Sequence, residues 1–112
     1  MLEFNGTRVL VTGGAGYLGS VLSSILLDEG FEVVILDKGI YGVEHLGPLF
    51  SDRFTIKVGD VRDGRLVDHL VQGIDVVIHL ASLVGTTVCD RYPYESLSTN
   101  VDGTKTVCDS VD

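Results

Sequence analysis

The sequence is short of positive charge and of long apolar runs, and each shortage excludes a class of protein. Eight Lys and Arg stand against sixteen Asp and Glu, so the net charge is −8 at pH 7. Such a chain repels phosphodiester backbones and anionic membranes, which makes nucleic acid and lipid surfaces poor partners. The apolar runs cover only a few residues, far below the about 20 that a membrane-spanning helix needs. An apolar signal segment is also missing, and this predicts a cytoplasmic protein.

Cysteine is scarce as well. Cys89 and Cys108 have neither the C-x-x-C spacing nor the neighbouring histidines of a metal or redox site. We interpret both as packing residues in a reducing compartment and predict no metal site. Hydrophobic residues at 45% and charged residues at 21% are typical of a globular protein, and 112 residues correspond to one domain. What the chain has in excess is glycine, with 14 residues.

Four of these glycines interrupt the most informative stretch, in which the apolar run 9–12 is followed by a helical pattern. They form two overlapping spacings, G-x-G-x-x-G from Gly14 and G-x-x-G-x-x-G from Gly13. Glycine permits a tight turn and close backbone approach, and the N–H groups that open the next helix point at an anion. We therefore predict a pyrophosphate site in which Gly13 and Gly16 admit the ligand, while Gly19 lets the helix pack tightly on the strand. The alternative is a glycine-rich turn that binds nothing.

Strand and helix patterns alternate along the chain, which predicts an α/β fold: a parallel sheet with helices on both faces and the strand order 3-2-1-4. We expect strands at 8–12, 31–36, 54–58 and 75–81, of which the third shows partial alternation and the other three are expected to be buried. Loop 38–53 is expected to hold one helical turn near 44–46. The expected helices run from Leu18 to Gly30, from an N-cap at Asp63 to Gly73, and from Pro93 onwards. The side chains predicted to form the buried stripes of the first and last helices are Leu18, Val21, Leu22, Ile25 and Leu26, and Leu97, Val101, Thr104, Cys108 and Val111.

Polar residues fall at the predicted strand tips, where ligands bind in sheets of this kind. Asp37 follows Gly19 by 18 positions, about where a carboxylate accepts both hydroxyls of an adenosine ribose. This predicts NAD, because a 2′-phosphate would meet like charge, although the adjacent Lys38 leaves NADP as an alternative. Asp60 and Val61 can flank an adenine by accepting from its amine and covering its ring. Taken alone, an Asp at this position more often serves as a turn residue.

Five motifs together resemble the N-terminal half of an extended short-chain dehydrogenase/reductase, and most closely the NAD-dependent sugar-nucleotide epimerases and dehydratases. The motifs are residues 12–19, Asp37, and residues 59–63, 79–82 and 100–104. The resemblance implies a Rossmann-type fold, an NAD cofactor and a nucleotide-sugar substrate. The residues that it implies at the cofactor, from the pyrophosphate to the two nucleosides, are Gly13, Gly16, Tyr17, Leu18, Gly19, Asp37, Lys38, Asp60, Val61, Leu80, Ala81 and Ser82. Asn100 is implied either near the reacting sugar or as a residue that satisfies backbone groups, and His79 is expected to be packed rather than catalytic.

The sequence departs from that family in two places. Ser82 stands where the family usually has Ala or Gly, which alters only local hydrogen bonding. More seriously, none of the four tyrosines is followed four residues later by the Lys of the family's acid/base pair. We therefore expect residues 1–112 to be an NAD-binding half domain truncated before the catalytic segment and inactive alone. We also expect it either to self-associate through its unpaired fourth strand or its last helix, or to be only marginally stable. The alternative function is a free-standing module that binds or senses NAD(P) without catalysis.

Overall fold

Four parallel strands form the centre of the fold in the computed structural model, which describes residues 3–39, 42, 44–49, 51–81, 91 and 93–111. The strands lie in the order β3-β2-β1-β4, which confirms the predicted topology. All four strands are parallel, so their carboxyl ends lie at one edge of the sheet, and the reversal of strand order between β1 and β4 opens a crevice at that edge. The strands are β1 (Arg8–Thr12), β2 (Glu32–Asp37), β3 (Phe54–Val58) and β4 (Val76–His79).

Helices connect the strands, with bounds close to those expected. They are α1 (Tyr17–Asp28), a 3₁₀ helix (Glu44–Leu49) in the predicted loop, α2 (Gly64–Leu70), α3 (Pro93–Leu97), a π-helical segment (Ser98–Gly103) and α4 (Thr104–Val111). Asp63 caps α2 as predicted, since its carboxylate accepts from the Leu66 N–H at 3.2 Å. Gly30 follows the end of α1 with a φ of 93°, the left-handed conformation that glycine adopts there.

Each central strand contributes to two apolar layers, one on either face of the sheet. On one face, Val11 and Ile35 pack with Leu27 of α1 and with the 3₁₀ helix. On the other face, Leu10 and Leu36 pack with residues of α2 and α4. This two-sided burial explains why β1 and β2 are continuous apolar runs, and it confirms helices on both faces.

The predicted buried stripe of α1 is wrong by about one residue position. Leu18, Val21 and Ile25 are 63%, 45% and 54% exposed, and the buried positions are Gly19, Ser23 and Leu27. The stripe was inferred from the largest apolar side chains, but this helix approaches the sheet through small residues. Leu22 and Leu26 are half-buried at the edges of that contact, as is usual for flanking positions.

The stripe predicted past Pro93 is wrong for a related reason. A π-helical segment breaks the helix, so residues on either side no longer share the phase of an uninterrupted α-helix. The buried positions are Thr99, Gly103 and Val107. Cys108 is exposed, so it is not the packing residue that we expected, and Cys89 lies outside the described residues. The exposed members of the predicted stripe are Leu97, Val101, Cys108 and Val111.

The fourth strand is only half-buried, which corrects the expectation of a buried strand. Val76 is 45% exposed, and the remaining residues of β4 are intermediate. The physical reason is its position, since β4 pairs with β1 alone among the strands that the structure describes. Over the same described ranges, no helix is long and apolar enough to cross a membrane.

Candidate functional site

A cavity of about 720 Å³ lies at the carboxyl ends of the strands. It collects nearly all the residues predicted from the sequence to contact a cofactor. Those that line it are Gly13, Gly16, Tyr17, Leu18, Gly19, Asp37, Lys38, Asp60, Val61, Leu80 and Ala81. Asn100 does not line the cavity, although it is half-buried in the adjacent π-helical segment. Ser82 lies outside the described residues, so its predicted role stays a prediction.

The glycine-rich turn fixes the floor of the cavity. A Cβ at position 19 would lie 2.5 Å from the Gly14 Cα, so Gly19 lets α1 pack tightly against the turn, whereas the sequence predicted its close contact with the strand. Gly13 has a φ of 72°, and a Cβ there would lie 2.8 Å from the Ala81 backbone. It is therefore needed by the fold itself, in addition to the predicted role of admitting a ligand.

Gly16 is different, because the fold leaves room for a side chain there. It precedes α1 with ordinary extended dihedral angles, and a Cβ would meet only the Gly13 carbonyl oxygen, at 3.4 Å. Gly16 also offers no side chain to cap the helix, so the first N–H groups of α1 have no capping partner from this residue. A helix start of this kind, open to a cavity, favours an anionic ligand.

The peptide groups of Ala15 are held on both sides. The Asp37 carboxylate accepts from the Ala15 N–H at 3.0 Å and from the Gly39 N–H at 2.7 Å. The Nε2 of His45 lies 2.6 Å from the Ala15 carbonyl oxygen, and since a carbonyl only accepts, this nitrogen carries the proton. Asp37 thus ties the tip of β2 to the glycine-rich turn while each carboxylate oxygen keeps a further acceptor site for a ribose hydroxyl.

The turn after β3 is organised by an Arg that sequence reasoning did not identify. Arg62 donates to the Asp60 carboxylate from its backbone N–H at 2.9 Å and from its Nε at 3.0 Å. These side-chain hydrogen bonds hold the pKa of Asp60 at about 2, below its ordinary 3.8. Lys38 adds a weaker ion pair, with its Nζ 3.7 Å from the carboxylate. The turn-forming role of Asp60 is therefore observed, and its contact with adenine stays a prediction.

Arg62 also joins this turn to the π-helical segment on the other side of the cavity. Its Nη1 donates to the Ser98 hydroxyl at 3.1 Å. Val61 is almost fully buried against Gly103, where a Cβ would lie 2.5 Å from the valine methyl group. Thr99, also in the π-helical segment, lines the cavity and is 7% exposed.

The hydroxyl of Thr99 is a buried polar group that needs a partner. Its oxygen makes no hydrogen bond within the part of the chain that the structure describes. A buried hydroxyl without a partner costs about 1–3 kcal/mol. Because Thr99 lines the cavity, a ligand with a polar group at this position would recover that free energy.

His79 is half-buried at the tip of β4, which confirms that it is a packed residue. Its two ring nitrogens lie 2.6 Å from the Thr12 hydroxyl and 2.9 Å from the Thr104 hydroxyl. Burial lowers the pKa of the imidazole, so the neutral ring is favoured.

Three residues of the site were therefore missed from the sequence, namely His45, Arg62 and Thr99. His45 stands in a loop without a motif, and its contact with Ala15 joins residues 30 positions apart. Arg62 lies within the motif 59–63, and Thr99 directly precedes the motif 100–104. Proximity to a motif was thus the available signal for two of the three.

The family model for the NAD-dependent epimerase/dehydratase family matches residues 9–112. Among curated relatives, UDP-glucose 4-epimerase of Halalkalibacterium halodurans is 46% identical over 103 residues, which cover 88% of this chain and 29% of that protein. A 3-beta-hydroxysteroid dehydrogenase of Mycolicibacterium neoaurum is 40% identical over 102 residues, covering 88% of this chain and 26% of that protein. The crystal structure of a dTDP-glucose 4,6-dehydratase from Streptomyces venezuelae, with NAD bound, superposes with a TM-score of 0.85 at 31% identity. That likeness covers 94% of this chain and 35% of the dehydratase chain.

The chain belongs to the NAD-dependent epimerase/dehydratase family, because the family model matches nearly all of it. Its sheet is the Rossmann-type sheet that the sequence predicted. It spans about a third or less of the length of these relatives.

Proposed function

We propose that the cavity at the strand tips binds NAD for an enzyme that acts on a nucleotide sugar. The observation that carries the proposal is the convergence of three features on one cavity: the glycine-rich turn, Asp37, and the buried Thr99 hydroxyl, which has no hydrogen-bond partner among the residues that the structure describes. The lining fits a dinucleotide, since it offers backbone N–H groups for phosphates, a carboxylate for ribose hydroxyls and apolar side chains for rings.

The residues divide along the cavity in the order of the strand tips. The pyrophosphate lies at Gly16 and the start of α1, with Gly13 and Gly19 fixing the turn. Asp37 accepts from the adenosine ribose, and Val61 covers the adenine while Asp60 accepts from its amine. On the opposite side of the turn, Leu80 and Ala81 flank the ribose that carries nicotinamide, and Ser82 keeps the role that the family resemblance implies for it. Asn100 lies close to the reacting sugar.

Electrostatics favour NAD over NADP at this site. Asp37 carries a negative charge where the 2′-phosphate of NADP would lie, and its carboxylate is held by the Ala15 and Gly39 N–H groups. The ammonium group of Lys38 lies 3.7 Å from the Asp60 carboxylate, which reduces its ability to offset the charge of Asp37. The overall charge of −8 also means that the affinity for an anionic cofactor comes from local N–H groups and not from the long-range field.

The nicotinamide ring of bound NAD supplies the hydride chemistry of such an enzyme. The residues of this chain hold the cofactor and exclude water from the floor of the site. The proton-transfer pair of the family, a Tyr followed four positions later by a Lys, does not occur in these 112 residues. We therefore assign this chain the cofactor-binding part of the activity. The nucleotide-sugar substrate is supported by relatives such as the UDP-glucose 4-epimerase, and a cytoplasmic location remains a prediction.

The test is calorimetric titration of the chain with NAD and with NADP. We expect NAD to bind more tightly, and Asp37→Asn to narrow the difference because it removes the charge while keeping the shape and one acceptor oxygen. Ile25→Ala, an exposed position on α1 away from the cavity lining, is the matched control and should keep the preference. Equal affinity of the unmodified chain for the two dinucleotides would contradict the assignment.

A further inference from the structure

His79 is the centre of a chain of hydrogen bonds that runs beneath the site between two strands and a helix. The Thr12 hydroxyl of β1 lies 2.6 Å from Nδ1 of His79, and the Thr104 hydroxyl of α4 lies 2.9 Å from Nε2. The Thr104 hydroxyl in turn donates to the Asn100 carbonyl oxygen at 2.7 Å. We call this series, from Thr12 through His79 and Thr104 to Asn100, the His79 relay.

The proton positions in the His79 relay follow from the number of donors. Thr104 has one hydroxyl proton, which it gives to the carbonyl of Asn100, so it must accept from Nε2–H of His79. A neutral imidazole then has a bare Nδ1, which accepts from the Thr12 hydroxyl. Only a neutral ring that is protonated at Nε2 gives every member of the His79 relay a hydrogen-bond partner.

The direction of the Thr12 hydroxyl decides what its oxygen can accept. With its proton turned to His79, the oxygen receives the N–H groups of Leu80 at 3.1 Å and of Ala81 at 3.2 Å. These two residues directly follow β4 and line the cavity. The relay therefore connects the backbone at the β4 tip to the backbone of Asn100, next to the cavity-lining Thr99.

The location of the relay predicts which half of a dinucleotide depends on it. The strand tips lie in the order β3, β2, β1, β4, and Asp60 and Asp37 occupy the first two. If the adenosine lies at those tips and the pyrophosphate at the β1 turn, the second nucleoside extends towards Leu80 and Ala81. The relay lies under this second half only.

We propose that His79 is a positioning residue for the nicotinamide half of the cofactor. Through Thr12 and Thr104 it holds the residues that follow β4 and the π-helical segment at Asn100 in a fixed relative position. This inference rests on the proposed NAD binding. It does not require that His79 touch the cofactor or exchange a proton with it.

The first test compares NAD with ADP, which contains the adenosine and the pyrophosphate but lacks the second nucleoside. Thr104→Val removes the hydroxyl and preserves the branched shape, whereas the matched variant Thr104→Ser keeps the hydroxyl. We expect Thr104→Val to weaken NAD binding about two- to tenfold, the effect of losing one or two hydrogen bonds, with ADP binding unchanged. Thr104→Ser should bind both ligands like the unmodified chain. His79→Leu should repeat the selective loss.

If the relay is merely structural, Thr104→Val should weaken the binding of NAD and of ADP by the same factor. An unchanged ratio of the two affinities in Thr104→Val therefore overturns the inference. An unmodified chain that binds neither ligand contradicts the proposed function instead. Nitrogen-15 NMR of the imidazole, recorded without any ligand, separates the two cases. We expect His79 to be protonated at Nε2 and bare at Nδ1 at pH 7, and the opposite tautomer would overturn the relay whatever the chain binds.

Discussion

Two glycines of the glycine-rich stretch 13–19 should respond differently when each is replaced by alanine: Gly19→Ala should lose stability and Gly16→Ala should lose affinity for NAD. At position 19 a new methyl group would lie 2.5 Å from the Gly14 Cα and 2.6 Å from the Gly13 carbonyl oxygen. Both are backbone atoms of the turn, so the start of α1 must move away from that turn, and overpacking of this kind costs about 1–3 kcal/mol. The better helix propensity of Ala offsets up to about 1 kcal/mol of that cost.

At position 16 the methyl group would meet only a carbonyl oxygen at 3.4 Å, and the backbone there is extended. The free energy of unfolding should therefore change by less than about 1 kcal/mol. If a phosphate lies against this residue, the same methyl group displaces it. Losing one charge-assisted hydrogen bond, worth about 1.5–3 kcal/mol, corresponds to a loss of affinity of about ten- to hundredfold.

Scanning calorimetry and titration calorimetry measure the two effects on the same samples. Gly19→Ala should lower the melting temperature by roughly 5–15 °C, given a few degrees per kcal/mol for a domain of this size. Gly16→Ala should melt within a few degrees of the unmodified chain and bind NAD at least tenfold more weakly. Unaltered NAD binding in Gly16→Ala, or an unaltered melting temperature in Gly19→Ala, would refute this reasoning.

Four further predictions concern the pH dependence of stability at His79 and at Asp60, turnover, and association. Burial lowers the folded-state pKa of His79, so the unfolded chain binds more protons below about pH 6.5, and the free energy of unfolding should fall as pH decreases from 7 to 5. Denaturant titrations across this range should show a flatter pH dependence of the free energy of unfolding in His79→Gln. An equal slope in the variant and the unmodified chain would contradict this prediction. The stability from Asp60, whose pKa is lowered to about 2, is present above 3.8 and should be lost only as pH falls from 3.8 to about 2, a step that Asp60→Asn removes. The 112-residue polypeptide should not turn over nucleotide sugars, since it has no Tyr–Lys pair, and activity that copurifies with it would disprove this. It should also self-associate through β4 or the C-terminal helix, and light scattering from a cooperatively folding monomer at high concentration would exclude that.

The topology of this fold could be predicted because its signals are local. Strands that are buried on both faces read as continuous apolar runs, as in Arg8–Thr12 and Glu32–Asp37. Asp63 and Gly30 mark helix ends through contacts within one turn, so single residues sufficed to place them. The order of strands then followed from the alternation of elements.

The helix faces could not be predicted in the same way, because the largest apolar side chains do not define them. Gly19 and Gly103 are buried where a helix touches backbone or a valine, and a search for apolar periodicity gives glycine no weight. The π-helical segment shifts the phase of the last helix, and no pattern in residues 98–103 signalled it.

The candidate site was predictable where it depends on single strand tips. Asp37 and the glycine-rich turn could be placed from spacing alone. His45 and Thr99 depend on how distant segments meet, and a hydrogen bond between residues 30 positions apart leaves no trace in the sequence.

Amide NMR with NAD as the titrant tests the central claim, that this cavity is a dinucleotide site, most directly. In the nitrogen-15-labelled chain, added NAD should shift the amide signals of Gly16, Asp37 and Ala81 at the carboxyl ends of the strands. The signals of Ile74 and Val111, in a second groove at the opposite end of the sheet, should stay in place. Shifts confined to that second groove, or no shifts at millimolar NAD, would contradict the account.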